Sequence, residues 1–241
     1  MKRSHTLDTI RGCALLSMLL YHAAWDLVYL FGADWPWYHG FAARLWQQSI
    51  CWTFLLLSGY CWSLGRRQLR RGLTVFLCGA LITVVTCLFM PANRVLFGVL
   101  TLLGSSSLLL CGLQPLLERI PPRAGLAGSF LLFLLLRDAG AGYLGFEGLR
   151  LAALPPGLYR GLFSAFLGFP PAGFFSTDYF PLLPWFFLFL TGYFLRRLRP
   201  GEDRDSRRVP LLTAMGRHSL WIYMLHQPVI YGLLTLWFRL R

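Results

Sequence analysis

The sequence predicts an all-α polytopic membrane protein, a single bundle of about seven helices across residues 1–241 with the N-terminus cytoplasmic. Three observations predict it. Hydrophobic residues make up 56% of the chain and charged residues only 14%. Several apolar runs approach the ~20 residues that cross a hydrocarbon core. The basic residues fall in alternate short segments between those runs, the asymmetry that sets orientation in membranes.

The runs follow in order. The first covers 10–31, the second 45–64, and the third 72–89, which ends at Met90-Pro91. The fourth is 95–117 and the fifth 124–136, which is short for a span. A sixth takes 179–195 and the last 219–238. Lys2 with Arg3, Arg66-Arg67 with Arg70-Arg71, Arg119 with Arg123, and the basic stretch 196–217 then share the cytoplasmic face. The opposite segments are poorer in base, with Arg44 alone in 32–44 and Arg94 alone in 90–94. The first run carries Arg11, His22 and Asp26, is too long for a signal core, and lacks a small-residue cleavage site. It is therefore expected to stay as a span.

Two segments on the far side stand out. Residues 32–44 hold Trp35, Trp37, Tyr38 and Phe41 with His39 among them, the composition of an interfacial aromatic belt. Residues 137–179 are rich in Gly, Pro and Phe and too apolar for a solvated linker. They predict short outer-face helices or re-entrant turns covered by protein. The polar stretch 199–208 reads as the one plainly solvated segment.

A net charge of +13 does not imply nucleic acid here, because the base sits where membrane orientation already explains it. Cys13, Cys51, Cys61, Cys78, Cys87 and Cys111 lie in or beside the apolar runs with no CxxC or Cys/His spacing. They are expected to be buried thiols, with no disulfide and no metal site.

Ionisable groups inside a bilayer cost a few kcal/mol or more each, so they are rare without a role. Arg11 and His22 lie roughly 16 Å apart along a helix, which puts Arg11 near a surface and His22 near mid-bilayer. Asp26, four residues on, shares His22's face. A carboxylate one turn away suits His22 to act as a general base or transient nucleophile. The plain alternative is a His that satisfies a neighbouring helix, and the buried Asp26 weighs against it. Arg11 fits either a snorkelling side chain or a phosphate-binding one. Asp8 fits either its ion-pair partner or a charge at a helix N-terminus. Asp178 precedes the Pro181/Pro184 pair and fits a cap or an outer cavity. Arg217 opens the last run, within which Tyr223 and His226-Gln227-Pro228 lie.

These segments together resemble one family. Asp8-Thr9-Ile10-Arg11-Gly12 with Met18 and Tyr21-His22 is similar to the opening of the heparan-α-glucosaminide N-acetyltransferase-like catalytic domain, in its short bacterial members. Phe97-Gly98-Val99-Leu100, Asp178 to Trp185, and Ser219 to Pro228 resemble its later signatures. The resemblance covers the whole chain and implies a transmembrane acyltransferase of a bacterial inner membrane. Its donor would be an acyl coenzyme A, usually acetyl-CoA, entering from the cytoplasm. Its acceptor would be a sugar hydroxyl or amine of an envelope glycan or lipid-linked saccharide.

By the same resemblance His22, oriented by Asp26, is the favoured base, and His39 takes the role of a His in the first outer loop. Arg11, Arg66, Arg67 and Arg217 would hold the coenzyme phosphates, with Tyr223 and His226 beside the donor and Asp8 and Asp178 in supporting positions. Thr101 departs from the pattern, since relatives often place a His after Phe-Gly-Val-Leu. Two rivals stay open: a proton-coupled small-solute transporter and an inactive scaffold subunit. A visible two-fold repeat, common among transporters, is lacking. Membrane lipids are expected partners. A homo-oligomer is left open, because lipid-facing and subunit-facing apolar surfaces look alike.

Overall fold

The computed structural model describes residues 4–200 and 209–240. The solvated segment expected at 199–208 falls mostly outside them. Each expected span lies on a helix: α1 (His5–Tyr29), α2 (Phe41–Trp62), α3 (Gln68–Phe89), α4 (Val99–Leu117), α5 (Pro122–Leu136), α7 (Leu182–Leu198) and α9 (Ser219–Arg239). Two shorter helices join them, α6 (Gly161–Leu167) and α8 (Pro210–Arg217).

Four helical segments are long and apolar enough to cross a membrane: His5–Tyr29, Gln68–Phe89, Val99–Leu117 and Pro122–Ala141. The protein is thus an integral membrane protein. The short fifth run reaches spanning length because a 3-10 turn, Ala139–Ala141, continues α5. The remaining helices have physical reasons for a weaker signal. α2 carries Arg44, Gln47, Gln48 and Ser49 in its first half, α7 has 17 residues, and α9 carries Tyr223, His226, Gln227 and an internal proline.

The chain divides into two compact units, Met1–Leu57 with Gly201–Arg241, and Ser58–Pro200. In the first, α1 packs against α8 and α9. A Cβ on Gly12 would stand 1.9 Å from the carbonyl oxygen of Leu212, and one on Gly216 1.9 Å from that of Asp8. The α1 and α8 backbones meet there with no room for any side chain. Thr9 and Thr213 hydroxyls bond across the same crossing at 2.9 Å.

In the second unit α3 packs on α4 and α5 on α7. A Cβ on Gly79 would fall 2.6 Å from the backbone nitrogen of Thr101, the position where a His was absent. Ser129 and Thr191 share a buried hydroxyl bond of 3.0 Å between α5 and α7. The signatures Phe97–Leu100 and Asp178–Trp185 come together in this unit. Phe97 adopts a left-handed φ of 56°, and Phe180 donates its N–H to the Phe97 carbonyl at 2.9 Å.

Two departures from the sequence reading concern local structure. Residues 143–153 form a hairpin, β1 (Tyr143–Phe146) paired antiparallel with β2 (Leu149–Ala153), within the stretch expected as short helices or re-entrant turns. Glu147 and Gly148 at its tip both have positive φ, 49° and 94°, the backbone of a tight two-residue turn whose twist suits a hairpin. α8 is a separate helix inside the stretch expected as a basic loop, started by Pro210 where a missing N–H costs nothing.

Candidate active site

The first unit gathers the ionisable residues of α1 into two clusters. Asp8 lies in the first turn of α1, whose N-cap Ser4 accepts from the Leu7 N–H. It is only 3% exposed. Its Oδ1 faces Arg11 Nη1 at 3.3 Å and its Oδ2 faces Arg217 Nε at 3.5 Å. Arg217 also donates from Nη2 to His5 Nδ1 at 3.1 Å, since a guanidinium can only donate. One carboxylate therefore organises two guanidiniums, one from each end of the chain. The Gly12–Gly216 crossing holds them together, because α8 can deliver Arg217 to Asp8 only with the backbones in contact.

Between the clusters Leu15, Met18 and Ile50 form a buried core against Met215, Ile222 and Tyr223. Tyr223 thus packs in this core. Trp46 on α2 donates to Ser17 at 2.7 Å.

The second cluster lies three turns along α1. The rings of His22 and His226 stand edge to face with centroids 4.6 Å apart. His226 Nδ1 contacts the Tyr223 carbonyl. A carbonyl only accepts, so Nδ1 carries the hydrogen and the neutral ring keeps its lone pair on Nε2. That Nε2 is buried with no hydrogen-bond partner among the described residues. Asp26 is 0% exposed, and its Oδ1 accepts from Gln227 Nε2 at 2.6 Å. Asp26 Oδ2 and Gln227 Oε1 are buried without hydrogen-bond partners among the described residues. The helical spacing pointed Asp26 at His22, whereas its bond comes from Gln227. The sequence signal for Gln227 is weak, a polar amide beside a His in an apolar run.

His39 is held apart from this pair. It ends the 3-10 turn Pro36–His39, and its Nδ1 shares a 3.2 Å hydrogen bond with the Tyr29 hydroxyl. Tyr29 lies seven residues past His22, about 10 Å along α1. Tyr38 anchors the turn by donating its hydroxyl to the Tyr21 carbonyl at 3.0 Å. Burial pushes the Tyr38 phenol above its ordinary value, so it stays a neutral donor.

The other candidates belong to the second unit. Arg66 and Arg67 are exposed in the turn between α2 and α3, with Arg67 left-handed at φ 58° just before Gln68. Asp178 Oδ2 accepts from the Val99 N–H at 3.2 Å, capping α4. A Cβ on Gly98 would stand 2.7 Å from that same oxygen, which accounts for a glycine there. Among the described residues no group of three His, Cys, Asp or Glu side chains is placed to hold a metal ion.

A family model described as "Heparan-alpha-glucosaminide N-acetyltransferase, catalytic" matches residues 3–228. The chain belongs to this family. The matched stretch contains every candidate residue of both units, from Asp8 to His226. No curated protein and no solved structure matches the chain. Membership in the heparan-alpha-glucosaminide N-acetyltransferase family, with the apolar helices, makes the protein a membrane acetyltransferase in broad class. Enzymes of this family generally use acetyl-CoA.

Proposed function

We propose that the protein carries an acetyl group from cytoplasmic acetyl-CoA to a sugar hydroxyl or amine of an envelope glycan or lipid-linked saccharide, in the inner membrane of a bacterium. All seven long helices cross the membrane in this proposal, with the N-terminus inside. The observation that carries it is the His22–His226 pair, in which an imidazole nitrogen without a hydrogen-bond partner among the described residues is buried beside a second imidazole.

His22 takes the proton from the acceptor hydroxyl or amine as that atom bonds to the acetyl carbon. The carbon–sulfur bond of the thioester breaks, and the proton passes on to the departing coenzyme, which leaves as the thiol. His226 offers Nε2 as the adjoining proton acceptor. Asp26 Oδ2 and Gln227 Oε1 supply acceptors for donors on the sugar. Arg11 and Arg217 hold the coenzyme phosphates, since two guanidiniums around one carboxylate leave a net positive charge. Arg66 and Arg67, exposed in the second unit, carry positive charge that attracts the coenzyme. His39, at the outer end of α1, serves where the acceptor arrives, as a second base or as the acyl-carrying site.

Acetyl transfer from labelled acetyl-CoA by the protein in vesicles tests this. His22→Ala, His39→Ala and the double variant should fold and lose transfer, and Arg217→Ala should bind acetyl-CoA at least tenfold more weakly. Full transfer by the double variant would overturn the catalytic assignment. Proton flux without coenzyme binding would favour the transporter.

A further inference from the structure

The hairpin β1–β2 lies in the second unit and is independent of the catalytic proposal. It begins two residues after the candidate span Pro122–Ala141, so Tyr143 stands within about 7 Å of that span's end. Its far tip does not project away. The Gly148 N–H donates to Asp138 Oδ2 at 2.8 Å, and Glu147 faces Arg137 at 3.6 Å. Both partners lie near the end of that same span. The following turn is tied to the same place, with the Tyr159 hydroxyl bonded to the Ala139 carbonyl. These bonds hold the hairpin beside the end of that candidate span.

The outward faces there are apolar. All of β2 is exposed, and Leu149 and Leu151, on either side of Arg150, are 65% and 63% exposed. On α6, Ala165 is buried while Phe163 is 73% exposed and Leu162 stands beside it, also exposed. Arg150 and Arg160 are exposed among them. Large apolar side chains interleaved with guanidiniums are the composition of a surface lying in the headgroup zone, where stems enter acyl chains and charges meet phosphates.

We infer that the β2 face and α6 form a lipid-binding surface, with Leu149, Leu151, Leu162 and Phe163 inserted into the leaflet at which α5 ends. Arg150 and Arg160 would contact the phosphodiesters. Continuity with the span and the paired charge chemistry favour lipid as the occupant over a second protein chain.

Photo-crosslinking decides it. The photoreactive residue p-benzoylphenylalanine is placed at Leu151 and, separately, at Phe163, in full-length protein in phosphatidylcholine–phosphatidylglycerol vesicles. Both sites are exposed, and each variant is checked by its size-exclusion profile. Irradiation should add the mass of one phospholipid at both positions. Crosslinks to a second protein chain, or intact probe with no lipid adduct, would overturn the inference.

Discussion

The His226 ring meets the His22 ring at 4.6 Å between centroids, joining the last long helix to the first. His226 gives its Nδ1 hydrogen to the Tyr223 carbonyl one turn back in its own helix, which fixes the tautomer that leaves Nε2 basic.

His226→Ala should lower kcat about 10²-fold or more, the usual range for a lost proton-transfer group. If His226 only contacted the donor, KM would rise with kcat unchanged. Steady-state kinetics with labelled acetyl-CoA separates the two outcomes.

Gln227→Leu removes the side-chain hydrogen bond described for Asp26 and leaves a buried carboxylate unsatisfied. The expected cost is about 1–3 kcal/mol. Thermal unfolding in detergent should show a lower midpoint, and Asp26→Asn combined with Gln227→Leu should recover part of it.

Gly12→Ala places a methyl 1.9 Å from the Leu212 carbonyl oxygen, so α1 and α8 must separate. Overpacking of this kind costs about 1–3 kcal/mol. Arg217 moves off Asp8 as a consequence, and acetyl-CoA affinity should fall along with stability. Isothermal titration with acetyl-CoA beside a melting curve reads both effects.

Asp178→Ala uncaps α4 and should cost about 0.5–2 kcal/mol, the range for a lost helix cap. Because Asp178 is engaged at the Val99 N–H, kcat should change little once the variant is folded. A large loss of kcat at full folding, measured against the thermal midpoint, would instead assign Asp178 to the acceptor side.

Helix positions and the unusual residues of α1 were legible along the chain, since apolar runs, flanking arginines and the cost of buried charge are local properties. Arg11, His22, Asp26 and His226 could be singled out that way. Their partners could not. Helical spacing relates Asp26 to His22, but the amide that reaches Asp26 lies on α9, and the second cation of Asp8 comes from α8, a helix hidden in a basic stretch. His39 seemed close to His22 in number, yet its turn docks on Tyr29 farther along α1. In the hairpin, Gly145, Glu147 and Gly148 broke an apolar run whose strand character appears once Asp138 anchors its tip. Periodicity reports which face of a helix is apolar, and it is silent on which helix covers that face. That choice is made by packing between residues distant in the chain, here by the glycines that let α1 and α8 touch.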